Sequence, residues 1–398
     1  IAIDPTGQFV SVTNESDNTV SLFSINQNNG QLTSIKEVTS RVSPSAVAYY
    51  TDTAEITVTP RFAYVANFDG SSVSSYSIAV GSGSLTAIGT TTATAGKPTS
   101  VNTDILGGYL YATNEITDNV SAFSINSSTG ALTEITGSPF SIETNPNGFE
   151  TGPQSISIDP SGRFAYVANS TDSISAYSID TSTGALSLLS NSPYVTGDNP
   201  SSVIVDPTGR FLYTANINSD DVSAFSINPL TGELSPIGTI AAENAPNSIA
   251  ADPSGRFVYV ANVGIGAYNI SAYSISPSTG ALTQIGTPIA AGSAPFSITV
   301  DPLGEYVYVA NQSSQNVTPY TINQSTGGLT AGTNVATESS PQSITVDPSG
   351  QYVYVANNGS NSVSGYTINS GTGALTSTGS AAATGSAPRS IVTVGTVQ

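Results

Sequence analysis

Short apolar stretches bounded by turn residues recur along this chain at nearly regular intervals. A segment ending in Asn occurs eight times, as in Phe257-Val-Tyr-Val-Ala-Asn262, and successive copies end 46–55 residues apart. We call this segment B. Three further segments accompany it in each repeat, and in the sixth repeat they are A (Ser248–Asp252), C (Ile270–Ile275) and D (Ala281–Ile285). β-Branched and aromatic residues dominate all four, so the pattern predicts four strands per repeat and almost no helix.

Turn residues connect these predicted strands. Asp252-Pro-Ser-Gly255 joins A to B and has the residues that a type I turn prefers, and Ser276-Pro-Ser-Thr-Gly280 joins C to D. Four antiparallel strands repeated at this period are typical of a β-propeller blade. Counting the B segments predicts one all-β domain over residues 1–398, a propeller of eight four-stranded antiparallel blades, with seven blades as the alternative.

Three strings carry a resemblance to a known family, and they stand at 252–262 (Asp-Pro-Ser-Gly-Arg-Phe-Val-Tyr-Val-Ala-Asn), 271–275 (Ser-Ala-Tyr-Ser-Ile) and 278–283 (Ser-Thr-Gly-Ala-Leu-Thr). They resemble the lactonase-type propellers, which include 6-phosphogluconolactonase and the muconate-lactonizing enzymes, and the YVTN-repeat propellers of bacterial secreted and archaeal surface-layer proteins. The resemblance covers essentially the whole chain and implies a propeller that is generally seven-bladed. The muconate-lactonizing branch uses a His, which this chain lacks, so no catalytic residue is carried over.

Composition excludes several kinds of chemistry. Charged residues form only 9% of the 398 residues, and 27 acids against 8 bases give a net charge of −19, which argues against nucleic-acid binding. His and Cys are absent, so the sequence excludes imidazole acid–base catalysis, thiolate metal sites and disulfides. No apolar run is long enough to span a membrane. Low charge and a lack of oxidisable side chains predict an extracellular or cell-surface location.

The C-terminal end contains one A segment more than eight blades need. Segment B occurs eight times, whereas segment A occurs nine times, the last copy being Ser390–Val394. Three outcomes are open: this strand closes the ring, begins a further domain, or pairs with a neighbouring subunit and so drives self-assembly.

Residue types repeated in every blade are predicted to be structural. We expect the Asp of the A–B turn and the Asn that ends segment B to stabilise turns. Arg61, Arg163, Arg210 and Arg256 share one repeat position, directly before segment B, and are also expected to be structural. The aromatic residues of segment C are expected to be buried between blades, namely Phe23, Tyr76, Phe123, Tyr177, Phe225, Tyr273, Tyr320 and Tyr366.

Aromatic residues outside the repeat pattern suggest a binding surface. Six of the eight such residues lie in B–C or D–A loops, which emerge on one face of a propeller, and the long loop 136–152 adds two acids. We predict that they contact a protein or a glycan. The candidate ligand-binding residues are Phe68, Phe140, Glu143, Phe149, Glu150, Tyr194, Tyr268 and Phe296.

Acidic residues concentrate in the B–C loops of the first five repeats, for example Asp69, Glu115, Asp118, Asp172 and Asp220. The need of a chain with few charges to stay soluble explains why these acidic residues are present. Ca²⁺ binding is the alternative, because carboxylates suit a hard cation, but no calcium-loop motif occurs. We therefore predict no cofactor and keep Ca²⁺ open.

The residue after each segment-A Pro is expected at the mouth of the central channel. This set contains no carboxylate, so a lactone hydrolase would lack its base there. We therefore favour a non-enzymatic extracellular binding scaffold, with a surface-layer or filament subunit and a lactone hydrolase as alternatives. The channel-mouth residues are Ser45, Thr99, Gln154, Ser201, Asn247, Phe296, Gln342 and Arg389.

Overall fold

The computed structural model describes residues 2–3, 9–14, 19–26, 30–39, 58–142, 152–266 and 268–397. They belong to two compact units, 1–57 and 58–398. Strands are the regular structure of these residues, as the sequence predicts. Within the same ranges, no helix has the length and hydropathy needed to cross a membrane.

The first unit contains one antiparallel sheet, built from the first repeat. Its four strands are hydrogen-bonded in chain order and correspond to predicted segments A to D. They are Ala2–Ile3, Phe9–Asn14, Thr19–Ile25 and Leu32–Thr39.

The second unit contains seven antiparallel sheets, which we call blades I to VII and which correspond to repeats two to eight. In every blade the strands lie in the order A, B, C, D. From blade I to blade VII, the A strands are Pro388–Val397, Pro98–Thr103, Pro153–Ile158, Pro200–Val205, Pro246–Ala251, Pro295–Val300 and Pro341–Val346. The B strands are Val58–Asn67, Tyr109–Asn114, Phe164–Asn169, Phe211–Asn216, Phe257–Asn262, Tyr306–Asn311 and Tyr352–Asn357.

The outer part of each blade is formed by strands C and D. The C strands are Ser72–Ile78, Asn119–Ile125, Ser173–Ile179, Asp221–Ile227, Asn269–Ile275, Asn316–Ile322 and Ser362–Ile368. The D strands are Leu85–Ala87, Leu132–Glu134, Leu186–Leu188, Leu234–Ala241, Leu282–Gln284, Leu329–Ala331 and Leu375–Ser377. All blades except IV have a further short strand paired with C, and these are Thr92–Ala93, Phe140–Ser141, Tyr194–Val195, Ile289–Ala290, Val335–Ala336 and Ala382–Ala383.

The C-terminal strand closes the ring. Pro388–Val397 pairs antiparallel with Val58–Asn67, the B strand of blade I, and buries Ile391 and Val394. Each A strand contacts the A strand of the next blade, and that of blade VII contacts that of blade I. The ring therefore has seven blades. Of the three outcomes expected for the surplus segment 390–394, closure is confirmed, and this pairing leaves no support for self-assembly through that strand.

The prediction of eight blades was wrong because it counted every B segment. The first repeat forms the separate sheet of the first unit. The second repeat has no Asp-Pro turn before Arg61, and its B strand takes its A partner from the other end of the chain instead.

Buried aromatic residues hold neighbouring blades together. All seven strand-C aromatics of the ring are at most 3% exposed, which confirms their predicted position between blades. Tyr273 is typical, because its hydroxyl donates a hydrogen bond to the Ala241 carbonyl of the preceding blade at 3.2 Å. Phe23 of the first repeat lies in the other unit.

Strand B contributes a second set of contacts between blades. Its Tyr hydroxyl donates to the carbonyl of the Gly in the C–D turn of the next blade, and this recurs in all seven blades. The pairs are Tyr64–Gly130, Tyr111–Gly184, Tyr166–Gly232, Tyr213–Gly280, Tyr259–Gly327, Tyr308–Gly373 and Tyr354–Gly83. Gly280 has φ of +73°, and a Cβ there would lie 2.3 Å from the Phe211 ring, so this turn requires Gly.

The A–B turns are held by Asp and Arg, as predicted. The carboxylate of Asp252 accepts hydrogen bonds from the main-chain N–H groups of Arg256 (2.8 Å) and Phe257 (2.6 Å). The Arg256 guanidinium lies 4.9 Å from the centre of the Phe257 ring and donates to the Gln324 carbonyl of the next blade. These contacts confirm a structural role for this Asp and this Arg.

Candidate functional site

A polar cavity of about 310 Å³ lies where the A strands begin, at the centre of the ring. Each of the seven blades contributes two consecutive residues to its wall. In the order of blades I to VII they are Arg389 and Ser390, Thr99 and Ser100, Gln154 and Ser155, Ser201 and Ser202, Asn247 and Ser248, Phe296 and Ser297, and Gln342 and Ser343.

The second residue of every pair is Ser, and the seven hydroxyls form a closed ring of contacts. Each Oγ accepts a hydrogen bond from a main-chain N–H of the next A strand, at 3.1–3.4 Å. The acceptor–donor pairs are Ser390–Val101, Ser100–Ile156, Ser155–Val203, Ser202–Ile249, Ser248–Ile298, Ser297–Ile344 and Ser343–Ile391. Because the Oγ is the acceptor in these bonds, each hydroxyl keeps a proton that it can donate to a ligand.

The first residues of blades II to V are tied to the protein. Thr99 donates to the Pro153 carbonyl at 2.7 Å, and Asn247 donates to the Phe296 carbonyl at 2.7 Å. Ser201 donates to the Asn247 carbonyl at 3.0 Å. These side chains connect one blade to the next and have less capacity left for a ligand.

The first residues of blades VI, VII and I differ from this group. Phe296 is the aromatic residue of the wall and is partly exposed. The amide of Gln342 makes no hydrogen bond to any residue that the structure describes, so it can both donate to a ligand and accept from one. Arg389 is the cation of the wall.

Arg389 belongs to a cluster at the rim of the cavity. Its guanidinium carbon lies 3.3 Å from the centre of the Phe68 ring, and Nη1 lies 3.6 Å from Oε2 of Glu115. The other carboxylate oxygen of Glu115 accepts a hydrogen bond from Gln154 at 3.3 Å. Burial lowers the pKa of Arg389, and Glu115 and Asp69 oppose this shift. The guanidinium stays protonated near neutral pH, so the rim holds a fixed positive charge beside an oriented carboxylate.

A second cation lies near the same ring. Nζ of Lys97 is 4.8 Å from the centre of the Phe68 ring and 3.4 Å from Oδ1 of Asp69. Each of the two cations at this rim is therefore paired with an acid.

Most of the channel-mouth residues predicted from sequence lie together in the wall of the cavity. Seven of the eight line the cavity, and Ser45 lies outside the described residues. The wall residues themselves include no carboxylate, as expected, but Glu115 contacts two of them, Gln154 and Arg389, from the B–C loop of blade II.

The aromatic candidates do not form a single surface. Phe140 and Tyr194 pack against apolar clusters between blades. They occupy the position that Ile289 and Val335 hold in blades V and VI, so packing accounts for them. Tyr268 precedes strand C of blade V and does not line the cavity, and its carbonyl accepts from Ala291.

Two of these candidates lie at the cavity, Phe296 in its wall and Phe68 under Arg389. The long-loop candidates lie outside the described residues, and they are Glu143, Phe149 and Glu150. Contact of this face with a protein or glycan stays a prediction.

Several acids of the B–C loops have structural roles. Asp118, Asp172 and Asp220 accept hydrogen bonds from main-chain N–H groups of the following D–A loops, at 2.7–2.9 Å. Asn361 makes the same contact in blade VII. Over the described ranges, no three acidic side chains are grouped so that they could hold a metal ion.

A closed ring of seven four-stranded blades around a polar central cavity defines a seven-bladed β-propeller with a small-molecule-sized site. A family model described as "Lactonase, 7-bladed beta-propeller" matches residues 1–144, 138–249, 236–338 and 331–394, and the chain belongs to this family. None of the curated proteins matches the sequence.

Solved structures of similar fold include a putative 6-phosphogluconolactonase of Bacteroides fragilis, with 20% identity, a TM-score of 0.69, and coverage of 87% of this chain and 100% of that one. They also include the periplasmic gluconolactonase of Pseudomonas aeruginosa, with 16% identity, a TM-score of 0.69, and coverage of 84% and 99%. At these identities the likeness establishes the fold alone.

Proposed function

We propose that this protein hydrolyses a lactone, with a sugar lactone as the substrate class, in the central cavity. The observation that carries the proposal is the cluster in which Glu115 contacts both Arg389 and Gln154. Membership of the lactonase family supports it. The same membership gives no support to the binding scaffold favoured from the sequence.

The cluster has the groups that lactone hydrolysis needs. As a water oxygen attacks the carbonyl carbon, the Glu115 carboxylate accepts a proton from that water. The carbonyl oxygen becomes an oxyanion, which the Arg389 guanidinium stabilises. When the ring C–O bond breaks, Glu115 returns the proton to the leaving alkoxide, and the product is a hydroxy acid. Gln154 holds the carboxylate in place by donating to Oε1.

The serine hydroxyls have a different task in this proposal. A Ser nucleophile needs a base beside it, and the seven cavity hydroxyls instead contact main-chain N–H groups. A ring of hydroxyls that can each donate a proton suits the hydroxyl groups of a sugar. These residues therefore bind the substrate.

Ring opening of glucono-1,5-lactone, followed by acid release and corrected for the spontaneous rate, tests the proposal. Glu115→Gln should lower kcat/KM by about 100-fold or more, because general base catalysis is lost. Glu305→Gln is the matched control: this acid is exposed in the A–B turn of blade VI, at the other end of an A strand, and its loss should leave the rate unchanged. A wild-type rate no faster than spontaneous hydrolysis contradicts the proposal, as does an unaffected Glu115→Gln variant.

A further inference from the structure

The wall of the cavity has one side that is available to a ligand. The first residues of blades II to V are hydrogen-bonded within the protein, whereas Phe296, Gln342 and Arg389 follow one another around the ring in blades VI, VII and I. An aromatic face next to an amide that has no partner in the described part of the chain suits a ring that has C–H groups on its face and hydroxyls at its edge. This side therefore matches a polyol ring.

The charged side chains in and around the cavity limit which polyols can bind there. Arg389 is the one cation among the fourteen wall residues, and Glu115 lies 3.6 Å from it. Lys97, at the rim, is paired with Asp69. A phosphate group would need unpaired cations, because a buried anion without a partner is costly. It would also be repelled by the acids of the neighbouring B–C loops and by the net charge of −19.

We infer that the cavity selects a neutral, unphosphorylated sugar lactone, bound against Phe296 and Gln342 with its carbonyl toward Arg389, over the corresponding sugar phosphate ester. That the ligand is a lactone rests on the proposed function. The preference for a neutral over a phosphorylated sugar does not depend on it. Phe296 and Gln342 are then specificity-determining residues.

A binding experiment tests the preference for a neutral sugar without requiring lactone hydrolysis. Calorimetric titration of the wild-type protein with glucose and with glucose 6-phosphate compares two ligands that differ only in the phosphate. Glucose should bind at least about tenfold more tightly, and Phe296→Ala and Gln342→Ala should each weaken its binding several-fold. Leu303→Ala, an exposed apolar residue in the A–B turn of blade VI at the other end of an A strand, should bind glucose as the wild type does. Equal or tighter binding of the phosphate ester overturns the inference, and so does a protein that binds neither sugar.

A kinetic experiment then separates this inference from the proposed function. Glucono-1,5-lactone should have a kcat/KM at least about tenfold above that of 6-phosphogluconolactone. Faster turnover of the phosphorylated lactone overturns the inference and leaves lactone hydrolysis standing. Hydrolysis of neither lactone, together with the expected glucose binding, overturns the proposed function and leaves the preference for a neutral sugar standing.

Discussion

The two ends of the A strands differ in how strictly their residue types repeat from blade to blade. Blades II to VII all have an Asp at the A–B turn. In blade V, the Asp252 carboxylate holds this turn by accepting hydrogen bonds from the main-chain N–H groups of Arg256 and Phe257. At the cavity end, the second wall residue is always Ser, whereas the first is Arg, Thr, Gln, Ser, Asn, Phe or Gln from blade I to blade VII. The turn residues are repeated because the ring needs them, whereas the first wall residue varies from blade to blade. The comparison assigns stability to the repeated turn residues and substrate discrimination to the varied wall residues, while the repeated Ser hydroxyls join the A strands and also face the ligand.

Removing the closing strand should have the largest effect on stability. Deleting residues 391–398 takes away buried Ile391 and Val394 and most of the pairing with Val58–Asn67. We expect a fall in Tm of about 10 °C or more, measured by calorimetry on the monomer. An unchanged Tm would mean that the strand does not close the ring.

Tyr273→Ala tests a single repeated core residue. The side chain is fully buried between blades, and its hydroxyl is bonded to the Ala241 carbonyl. The free energy of unfolding should fall by about 3–5 kcal/mol in denaturant titration. Tyr268→Ala, a partly buried residue of the adjoining loop, should cost less, about 1 kcal/mol. Similar costs for the two variants would contradict the assignment.

A pair of glycine variants separates steric from conformational cost. Gly280 and Gly286 have φ of +73° and +60°, but only at Gly280 would a Cβ meet another residue, the Phe211 ring. Gly286→Ala should cost about 1 kcal/mol, from backbone conformation alone. Gly280→Ala should cost about 1–3 kcal/mol more, from overpacking. Equal losses in denaturant titration would show that this turn does not pack on the next blade.

Alkaline pH should weaken the same contacts between blades. Burial raises the pKa of Tyr320 from 10.0 to about 12, so its neutral form is favoured in the folded state. Stability from this group is complete below pH 10 and is lost as pH rises toward 12. Tyr320→Phe removes the hydrogen bond to the Ala290 carbonyl and should cost about 1 kcal/mol at pH 8. That deficit should shrink above pH 10 in thermal scans, and a constant deficit would contradict the burial argument.

The sequence predicted the strands, the turns and the buried aromatic residues because each depends on local pattern. It did not predict the number of blades, because closure depends on which strand meets Val58–Asn67. One signal was available: Arg61 is preceded by Val58-Thr-Pro60 where other repeats have Asp-Pro-Ser-Gly or a close variant. That difference indicates that the second repeat has no A–B hairpin of its own.

The site was predicted less completely than the fold. The wall residues follow from the repeat, because the residue after each strand-A Pro enters the cavity. Glu115 was missed as a site residue because it lies in a B–C loop, and a loop sequence does not fix where a side chain points. That the Gln342 amide has no hydrogen-bond partner among the described residues depends on what its neighbours bind, which no local pattern encodes.

The central claim is that the A–B turns stabilise the ring and that the cavity carries the chemistry. Its most direct test compares Arg389, at the cavity, with Arg210, at an A–B turn. Arg389→Met should lower kcat/KM for glucono-1,5-lactone by about 100-fold or more with a nearly unchanged Tm, because the ion pair it loses is partly exposed. Arg210→Met removes an Arg that stacks on Phe211 and bonds the Pro277 carbonyl of the next blade, so it should lower Tm and keep the activity. Loss of activity in Arg210→Met alone, or equal activity in both variants, would contradict the division between repeated scaffold and varied site.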